Sequence, residues 1–243
     1  MKNDAFKLYE SDVLRQTTGD TLRPGGFFLT DQGVGYCSFL PGDKVLDLGC
    51  GSGATVERLT DLYKLQAVGL DPSEVLLKAG KDKNPNLNLL QGRGENLPFP
   101  VNHLDGVFAE CTLSVMEDLD QVLKEVFRVL KPGGWLIVND VYARNPEGLK
   151  PLHELNLYSC FRRALSKEQF IKKLKEQKFD IDYWIDHTNL LIQLTVNIIM
   201  KHGSMADFWL KSSDCTVDPA LAQAAIKQAK IGYFQLIGQK GFC

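Results

Sequence analysis

A glycine-rich turn that follows one carboxylate is the part of the chain best suited to hold a ligand. Asp47 is followed by Gly49, Gly51 and Gly53, and Asp71 lies 22 residues beyond Gly49. Glycine lacks a Cβ atom, so the backbone of such a turn can approach a bound molecule closely. A carboxylate at the end of the next strand can accept hydrogen bonds from both hydroxyl groups of a ribose. The pattern therefore predicts a cofactor that contains a nucleoside.

The charge of Asp47 bears on which nucleoside cofactor binds. Read as Gly49-x-Gly51-x-x-Ala54, the turn also fits a dinucleotide fingerprint, in which a pyrophosphate lies at the helix N-terminus. The negative charge of Asp47 would then lie close to an anionic pyrophosphate. A carboxylate there suits a cation better, and S-adenosylmethionine carries a sulfonium and an ammonium group but no phosphate. S-adenosylmethionine is therefore favoured, and a nicotinamide oxidoreductase stays open as an alternative.

The elements around this turn alternate between strand and helix. Residues 45–48 form a short apolar run, and apolar residues then recur at helical spacing from Val56 to Tyr63. Further strands are predicted at 66–70, 87–90, 104–109 and 135–139, with helices at 73–83 and 119–130 between them. Strands separated by helices pair in parallel through right-handed crossovers, which predicts a doubly wound α/β sheet. Ligands of such sheets bind outside the carboxyl ends of the strands.

The rest of the chain is less regular. Ser166 and Gln169 form a capping-box pattern before a helix that extends to about residue 177, and strands are predicted at 179–186 and 233–240. The long segment 188–230 contains two predicted helices, the later one starting at Asp218-Pro219, and we expect it to pack as a cap over the sheet. Residues 1–40 are predicted to be an N-terminal lid or a packing arm. Residues 41–243 then form one domain that includes the cap.

Composition narrows the class of protein further. The chain has 243 residues, of which 28 are basic and 30 acidic, and the net charge of −2 gives no electrostatic footprint for nucleic acid. The longest apolar stretch, 190–200, is too short to span a membrane, and no signal-like segment follows the N-terminus, so we expect a cytoplasmic protein. The six cysteines include no CxxC pair, so we expect free thiols and no metal site.

Four further motifs lie in order along the predicted sheet. They are 45–53 (VLDLGCGSG), 69–73 (GLDPS), 92–99 (GRGENLPF) and 128–134 (RVLKPGG). Together they resemble the class I S-adenosylmethionine-dependent methyltransferases, nearest the subgroup of quinone C-methyltransferases and arsenite methyltransferases. The resemblance covers residues 45–140. It implies a seven-stranded, mostly parallel sheet in the order 3-2-1-4-5-7-6, with an antiparallel last strand.

The resemblance also implies which residues bind the cofactor. Asp47 and the backbone of Gly49 and Gly51 would hold the methionine part, with Cys50 in the same turn, and Asp71 would hold the ribose. The remaining implied contacts are Pro72, Gly94 and Glu95 around the adenine and Glu110 below the sulfonium. The chain departs from the family at Arg93, where an acidic residue often accepts a hydrogen bond from the adenine amino group. Glu95 or a backbone carbonyl would take that role, or adenine binding is weaker here.

Methyl transfer from a sulfonium is an in-line displacement in which positioning supplies much of the rate, so a dedicated base is optional. The candidates for a catalytic group are Glu110, Cys111 and Asp140. Cys111, Tyr142 and Cys160 are the candidates for substrate contact. The acceptor is expected to be a small molecule, and S-adenosylhomocysteine would be the second product.

Two other functions fit the same residues. A regulatory protein could bind S-adenosylmethionine without turnover. Alternatively, Cys111 and Cys160 could take arsenite or another thiophilic acceptor, because soft trivalent arsenic prefers thiolate ligands. Cys160 falls near one thiol of the arsenite methyltransferases and Cys215 could complete a trio, but the cysteine pair near their N-terminus is missing here.

Overall fold

A single twisted β-sheet forms the centre of the protein. The computed structural model describes residues 7–155, 159–212 and 218–241. The strands are β1 (Lys44–Leu48), β2 (Gln66–Asp71), β3 (Leu89–Gln91), β4 (Leu104–Glu110), β5 (Leu130–Ala143), β6 (Leu165–Ser166), β7 (Phe179–Asp186) and β8 (Ile231–Lys240).

The strand order confirms the predicted doubly wound topology. The sheet runs β3-β2-β1-β4-β5-β8-β7, and the first five strands in this order are parallel. Strand β8 is antiparallel to both of its neighbours, as expected for the last strand. The two-residue β6, which pairs with β5, is an eighth strand that the sequence pattern did not indicate. Since the strand order reverses between β1 and β4, the carboxyl ends of these two strands flank the crevice where a ligand is expected.

Helices cover both faces of the sheet. They are α1 (Lys7–Glu10), α2 (Asp12–Thr18), α3 (Phe28–Cys37), α4 (Ala54–Asp61), α5 (Glu74–Lys83), α6 (Leu119–Val129), α7 (Leu149–Glu154), α8 (Lys167–Glu176), α9 (Thr188–His202), α10 (Met205–Ser212) and α11 (Pro219–Ala229). Three of these helices, α6, α8 and α11, begin directly after a residue whose side chain caps the helix N-terminus. Asp118, Ser166 and Asp218 each accept a backbone hydrogen bond from the first turn, and Ser166 forms the complete capping box with Gln169.

The segment 188–230 contains α9, α10 and α11, one helix more than predicted. Gly203 has a φ of 95° and ends α9, and Ser204 then accepts a hydrogen bond from the Asp207 N–H at the start of α10. Apolar periodicity alone does not reveal this break, because the apolar residues continue past it. These helices share a buried apolar cluster with α1, α2 and the start of β8. The division into lid, domain and cap stays a prediction.

None of the helices in the described ranges is long and apolar enough to cross a membrane.

Helix α5 lies so close to the turn after β1 that one glycine is required between them. A Cβ atom on Gly80 would lie 2.2 Å from the carbonyl oxygen of Ser52. We expect Gly80→Ala to lower the free energy of unfolding by about 2 kcal/mol, because backbone must shift to relieve the overlap. Denaturant unfolding measures the change.

The matched control is Gly35→Ala in α3, where the added Cβ meets nothing within 4 Å. Replacing a helical glycine with alanine normally stabilises a protein, here by about 0.5–1 kcal/mol. Opposite signs for the two variants are the expected result. Stabilisation by Gly80→Ala would contradict the close approach of α5 to the turn.

Candidate functional site

The turn between β1 and α4 is held against the ends of two neighbouring strands. The N–H groups of Gly49 and Cys50 both donate to the carbonyl oxygen of Leu70 at the end of β2, at 2.8 and 3.2 Å. Gly49 has a φ of 77°, and a Cβ atom there would lie 2.0 Å from Oγ1 of Thr112. Glycine is therefore required at residue 49, and the turn is fixed on both sides.

A cavity opens beside this turn. Eight of the nine residues predicted to bind cofactor line it: Asp47, Gly49, Cys50, Gly51, Asp71, Pro72, Glu95 and Glu110. The ninth, Gly94, lies directly behind, where a Cβ atom would press on Val122 and Met116. The structure thus brings the predicted residues together, and their contacts to a cofactor stay a prediction.

Asp71 is fixed in orientation by backbone donors. Its Oδ2 atom accepts the N–H of Gly51 and its Oδ1 atom accepts the N–H of Ser73, both at 2.8 Å. Burial raises the pKa of this carboxyl, and the two N–H groups partly offset the increase. A carboxylate oxygen accepts more than one hydrogen bond, so both atoms keep capacity for the two hydroxyls of a ribose.

Asp47 is a buried carboxylate without a donor. Its side chain faces the cavity, only 3% of the residue is exposed, and none of the described residues donates a hydrogen bond to it. Burial raises its pKa well above the usual value, and the charges of Glu110 and Asp71 raise it further, while Arg23 opposes them. An uncompensated buried carboxylate costs free energy unless a cation neutralises it. This is the fit expected for an ammonium or sulfonium group.

Glu110, at the end of β4, has four hydrogen-bond or ion-pair partners. Its Oε1 atom accepts from Thr30 Oγ1 at 2.8 Å and Asn139 Nδ2 at 2.6 Å. Its Oε2 atom accepts from Thr55 Oγ1 at 3.1 Å and pairs with Arg23 Nη2 at 2.9 Å. A carboxylate held by four donors is poorly placed to accept a further proton. The geometry therefore argues for a binding and organising role.

Arg23 is the residue that sequence reasoning missed. Residues 20–23 line the cavity, and the Arg23 side chain is almost fully buried against Glu110. Its Nε–H also donates to the Gly26 carbonyl oxygen at 3.0 Å. The guanidinium group therefore stabilises the turn after Arg23 and, through Glu110, attaches this segment to the sheet. Nothing in the sequence indicated its partner Glu110, 87 residues later.

Arg93, where the chain departs from the family pattern, lies at the mouth of the cavity. Its Nη1 atom is 3.4 Å from Oε2 of Glu117. The neighbouring Glu95 accepts the backbone N–H groups of Glu117 and Asp118 at 3.3 and 3.4 Å. Arg93 is thus paired with Glu117 beside the cavity, and the contact of Glu95 with an adenine amino group stays a prediction.

A second cavity, of about 610 Å³, adjoins the first beneath α1, α9 and α10. Tyr9, Leu22 and Cys111 line both cavities, and we call these three residues the collar. Cys160 also lines the second cavity, as the predicted substrate contact requires. The collar is the only group of described residues common to both lining sets.

Asp140, a predicted catalytic candidate, and Tyr142, a predicted substrate contact, line neither cavity. Asp140 accepts hydrogen bonds from Ser114 Oγ and from the N–H groups of Ser114 and Val141, and burial raises its pKa to about 6. Through Ser114, Asp140 stabilises the turn after β4, in which Thr112 lines the cofactor cavity. Side chains alternate between the two faces of β5, so Val141 points towards the second cavity and Tyr142 points to the opposite face of the sheet. There the Tyr142 hydroxyl donates a hydrogen bond to Asp186.

Two further expectations concern thiols and metals. Cys215 lies outside the described residues. Within the described ranges, no cluster of three or more His, Cys, Asp or Glu side chains is arranged to hold a metal ion.

Comparison with known proteins identifies the fold. Residues 46–138 match the family described as "Methyltransferase domain". The chain is 34% identical over 142 residues to the demethylmenaquinone methyltransferase of Listeria welshimeri, a match covering 56% of this chain and 59% of that protein. It is 32% identical over 123 residues to a ubiquinone/menaquinone biosynthesis C-methyltransferase of Shewanella sediminis, covering 47% of this chain and 49% of that protein.

Solved structures show the same fold over nearly the whole chain. The [4+2]-cyclase SpnF aligns with a TM-score of 0.75 at 22% identity, covering 98% of this chain and 94% of that one. A phosphoethanolamine N-methyltransferase 2 of Haemonchus contortus, in complex with S-adenosylhomocysteine, aligns with a TM-score of 0.72 at 17% identity over 95% of this chain and 56% of that one. The chain spans about half the length of the first curated relatives that it matches. The predicted fold is confirmed, and the predicted resemblance to methyltransferases is confirmed over residues 46–138.

Neutralising Asp47 is expected to weaken cofactor binding. We expect Asp47→Asn to lower the affinity for S-adenosylmethionine about tenfold at neutral pH, because the buried charge that attracts a cation is lost. Calorimetric titration gives the affinity. The control is Glu74→Gln, which removes an exposed carboxylate in the first turn of α5 and should leave the affinity unchanged.

The pH dependence of binding follows from the direction of the pKa shifts. The pKa values of Asp47 and Asp71 are raised, so both lose their charge at a higher pH than an ordinary aspartate. The affinity of the native protein for S-adenosylmethionine should fall as the pH decreases from about 8 to about 5.5, and the fall should be shallower in Asp47→Asn. An identical pH profile for both proteins would exclude Asp47 from the cation site.

The unliganded protein should respond in the opposite sense. A raised pKa means that the folded state binds the Asp47 proton more tightly than the unfolded state does, so the stability contribution of Asp47 falls as pH rises towards its folded pKa. Asparagine does not ionise, so Asp47→Asn removes this pH-dependent loss of folding stability. Denaturant unfolding without ligand should show equal or higher stability at neutral pH, and a decrease of more than about 1 kcal/mol would indicate a structural role instead.

Proposed function

We propose that the protein transfers the methyl group of S-adenosylmethionine to a small-molecule acceptor. The observation that carries this proposal is Asp47, a buried carboxylate that faces the cofactor cavity with no donor among the described residues. Its negative charge disfavours a pyrophosphate and favours a positively charged cofactor. The methyltransferase domain and its relatives give independent support.

Three groups of residues would share the binding of the cofactor. Asp71, already oriented by Gly51 and Ser73, would accept the ribose hydroxyls. Asp47 and the backbone of the turn would hold the methionine part. Glu110 keeps Arg23 and the segment before α3 in place over the cavity, so that water is kept from the bound cofactor.

S-adenosylmethionine supplies an activated methyl group on sulfur. What the protein must add is alignment of the acceptor and exclusion of water, and positioning of this kind can supply about 7–11 kcal/mol of barrier lowering. Among the three predicted catalytic candidates, Glu110 is saturated with donors and Asp140 lies away from both cavities. Cys111 remains at the collar. This arrangement favours catalysis by positioning over catalysis by a dedicated base.

A thiophilic acceptor is a second candidate, and one observation favours it. Cys111 and Cys160 both line the second cavity. Burial, however, raises the pKa of both thiols, that of Cys160 to about 12, which disfavours the thiolate form that trivalent arsenic prefers. Phenylarsine oxide is a suitable probe. One equivalent bound, and lost in both Cys111→Ser and Cys160→Ser, would favour the thiophilic acceptor.

Transfer of labelled methyl groups tests the proposed function. The protein is incubated with S-[methyl-³H]adenosylmethionine and a small-molecule cell extract, and labelled products are counted. We expect transfer by the native protein, and a decrease of at least about tenfold in Asp71→Ala because the ribose contact is lost. Glu74→Gln should transfer at the native rate.

Two other results would each indicate a different function. Tight binding of S-adenosylhomocysteine without transfer of label from any extract would indicate a regulatory protein. Binding of NAD in preference to S-adenosylmethionine, insensitive to Asp47→Ala, would indicate a nicotinamide oxidoreductase.

A further inference from the structure

The second cavity has a chemical character of its own. We propose that it is the acceptor site, that it takes an uncharged and largely apolar molecule, and that the collar of Tyr9, Leu22 and Cys111 presents this molecule to the cofactor cavity. The inference rests on the proposed function, which it deepens by naming the class of acceptor.

The described residues that line this cavity include no charged side chain. Aliphatic and aromatic groups dominate, with Leu191, Leu194 and Ile198 of α9 on one side and Phe208 and Trp209 of α10 on another. Moving an ionised group from water into such surroundings is costly unless an opposite charge meets it. An anionic or cationic acceptor would therefore bind poorly.

The few polar side chains in the lining are already engaged. Thr195 Oγ1 donates to the Leu191 carbonyl oxygen at 2.9 Å, and Ser159 Oγ accepts the N–H of Phe161 at 3.3 Å. At the collar, Cys111 Sγ lies 3.4 Å from the Tyr233 hydroxyl. The cavity thus offers a ligand mostly apolar surface, with hydroxyl and thiol groups concentrated at the collar.

The collar is held in a defined conformation. Leu22 and Cys111 have φ values of 53° and 55°, in the left-handed region that residues other than glycine rarely adopt. Strained backbone of this kind persists where the surrounding structure enforces it, and it concentrates at functional sites. The Cys111 N–H donates to the Asn139 carbonyl oxygen at 2.7 Å, and Leu22 precedes the buried Arg23.

Tyr9 provides a polar contact at the collar. Its hydroxyl oxygen accepts the N–H of Cys160 at 3.1 Å, which fixes the ring between the two cavities. Burial raises its pKa well above 10, so the hydroxyl is neutral at physiological pH. Tyr9 is therefore a positioning residue, which can orient an uncharged hydroxyl, amine or thiol of the acceptor towards the cofactor.

Two fluorescent probes of matched shape test the class of acceptor. N-phenyl-1-naphthylamine is neutral, and 1-anilinonaphthalene-8-sulfonate has the same ring system with one negative charge. We expect the neutral probe to bind at least about tenfold more tightly to the protein saturated with S-adenosylhomocysteine, because the sulfonate would be buried without a cation. Equal binding, or tighter binding of the sulfonate, would overturn the inference.

Adjacent residues on opposite faces of α9 show whether the probe lies in the cavity. Thr195 lines the cavity, whereas Val196 is 43% exposed on the outer face with Ile192, Ile199 and Met200. Thr195→Gln should weaken binding of the neutral probe at least about fivefold because it fills the cavity with a polar group, and Val196→Gln should not. The reverse pattern would place the probe on the outer surface and overturn the inference.

A measurement on the native protein avoids any effect of substitution on folding. Cys111 lies at the collar and Cys160 only in the second cavity, so their rates of alkylation by N-ethylmaleimide report on the two sites separately. The neutral probe should slow the labelling of both thiols, and S-adenosylhomocysteine should slow that of Cys111 alone. Labelling of both thiols unaffected by the probe would contradict the proposed acceptor site.

These results separate the two proposals. If the native protein fails to bind S-adenosylhomocysteine and to transfer methyl groups, the proposed function fails, and with it the acceptor role of the cavity, even though the preference for the neutral probe persists. If transfer occurs while the sulfonate binds as well as the neutral probe, the function stands and the class of acceptor is wrong.

Discussion

The buried ion pair between Arg23 and Glu110 is the contact on which the site depends. It joins the N-terminal segment to the carboxyl end of β4. One ion pair therefore holds together two parts of the chain that line the cofactor cavity. Thr30 contacts both partners, and Thr55 and Asn139 satisfy the remaining capacity of the carboxylate. Removing one partner of such a pair typically costs about 3–5 kcal/mol, because the other charge is left buried. Arg23 thus anchors the segment before α3 to the sheet.

Two carboxylates of the cofactor cavity, Asp47 and Asp71, are not part of this ion pair, and they make the cavity suitable for a positively charged ligand. Arg23 neutralises Glu110, whereas among the described residues no hydrogen-bond donor meets Asp47, and only backbone N–H groups meet Asp71. Two buried carboxylates without a counter-ion make the unliganded protein less stable than it could be. The fold tolerates this because the surrounding sheet is fully packed, and a bound cation would relieve it. Sites that sacrifice stability in this way are typical of binding and catalysis.

The sequence indicated most of the predicted residues that line the first cavity because the signals for them are local. The glycines after β1, the carboxylate ending β2 and the capping residues Asp118, Ser166 and Asp218 each act within a few positions of the chain. The lining of the second cavity depends on contacts between distant segments. Tyr9 meets Cys160 and Arg23 meets Glu110, and neither pair leaves a periodic or compositional trace. Tyr142 was predicted as a substrate contact from its place near a strand end, but strand alternation directs it to the other face.

The two cavities are built from different parts of the chain. The cofactor cavity draws mainly on the central segment that contains the family match at residues 46–138, whereas α1, α9 and α10 from the two ends of the chain enclose its neighbour. Of these three helices only α1 also reaches the cofactor cavity, through Tyr9. A substitution on α9 or α10 can therefore reshape the second cavity and leave the lining of the cofactor cavity unchanged, so the two cavities can be altered independently.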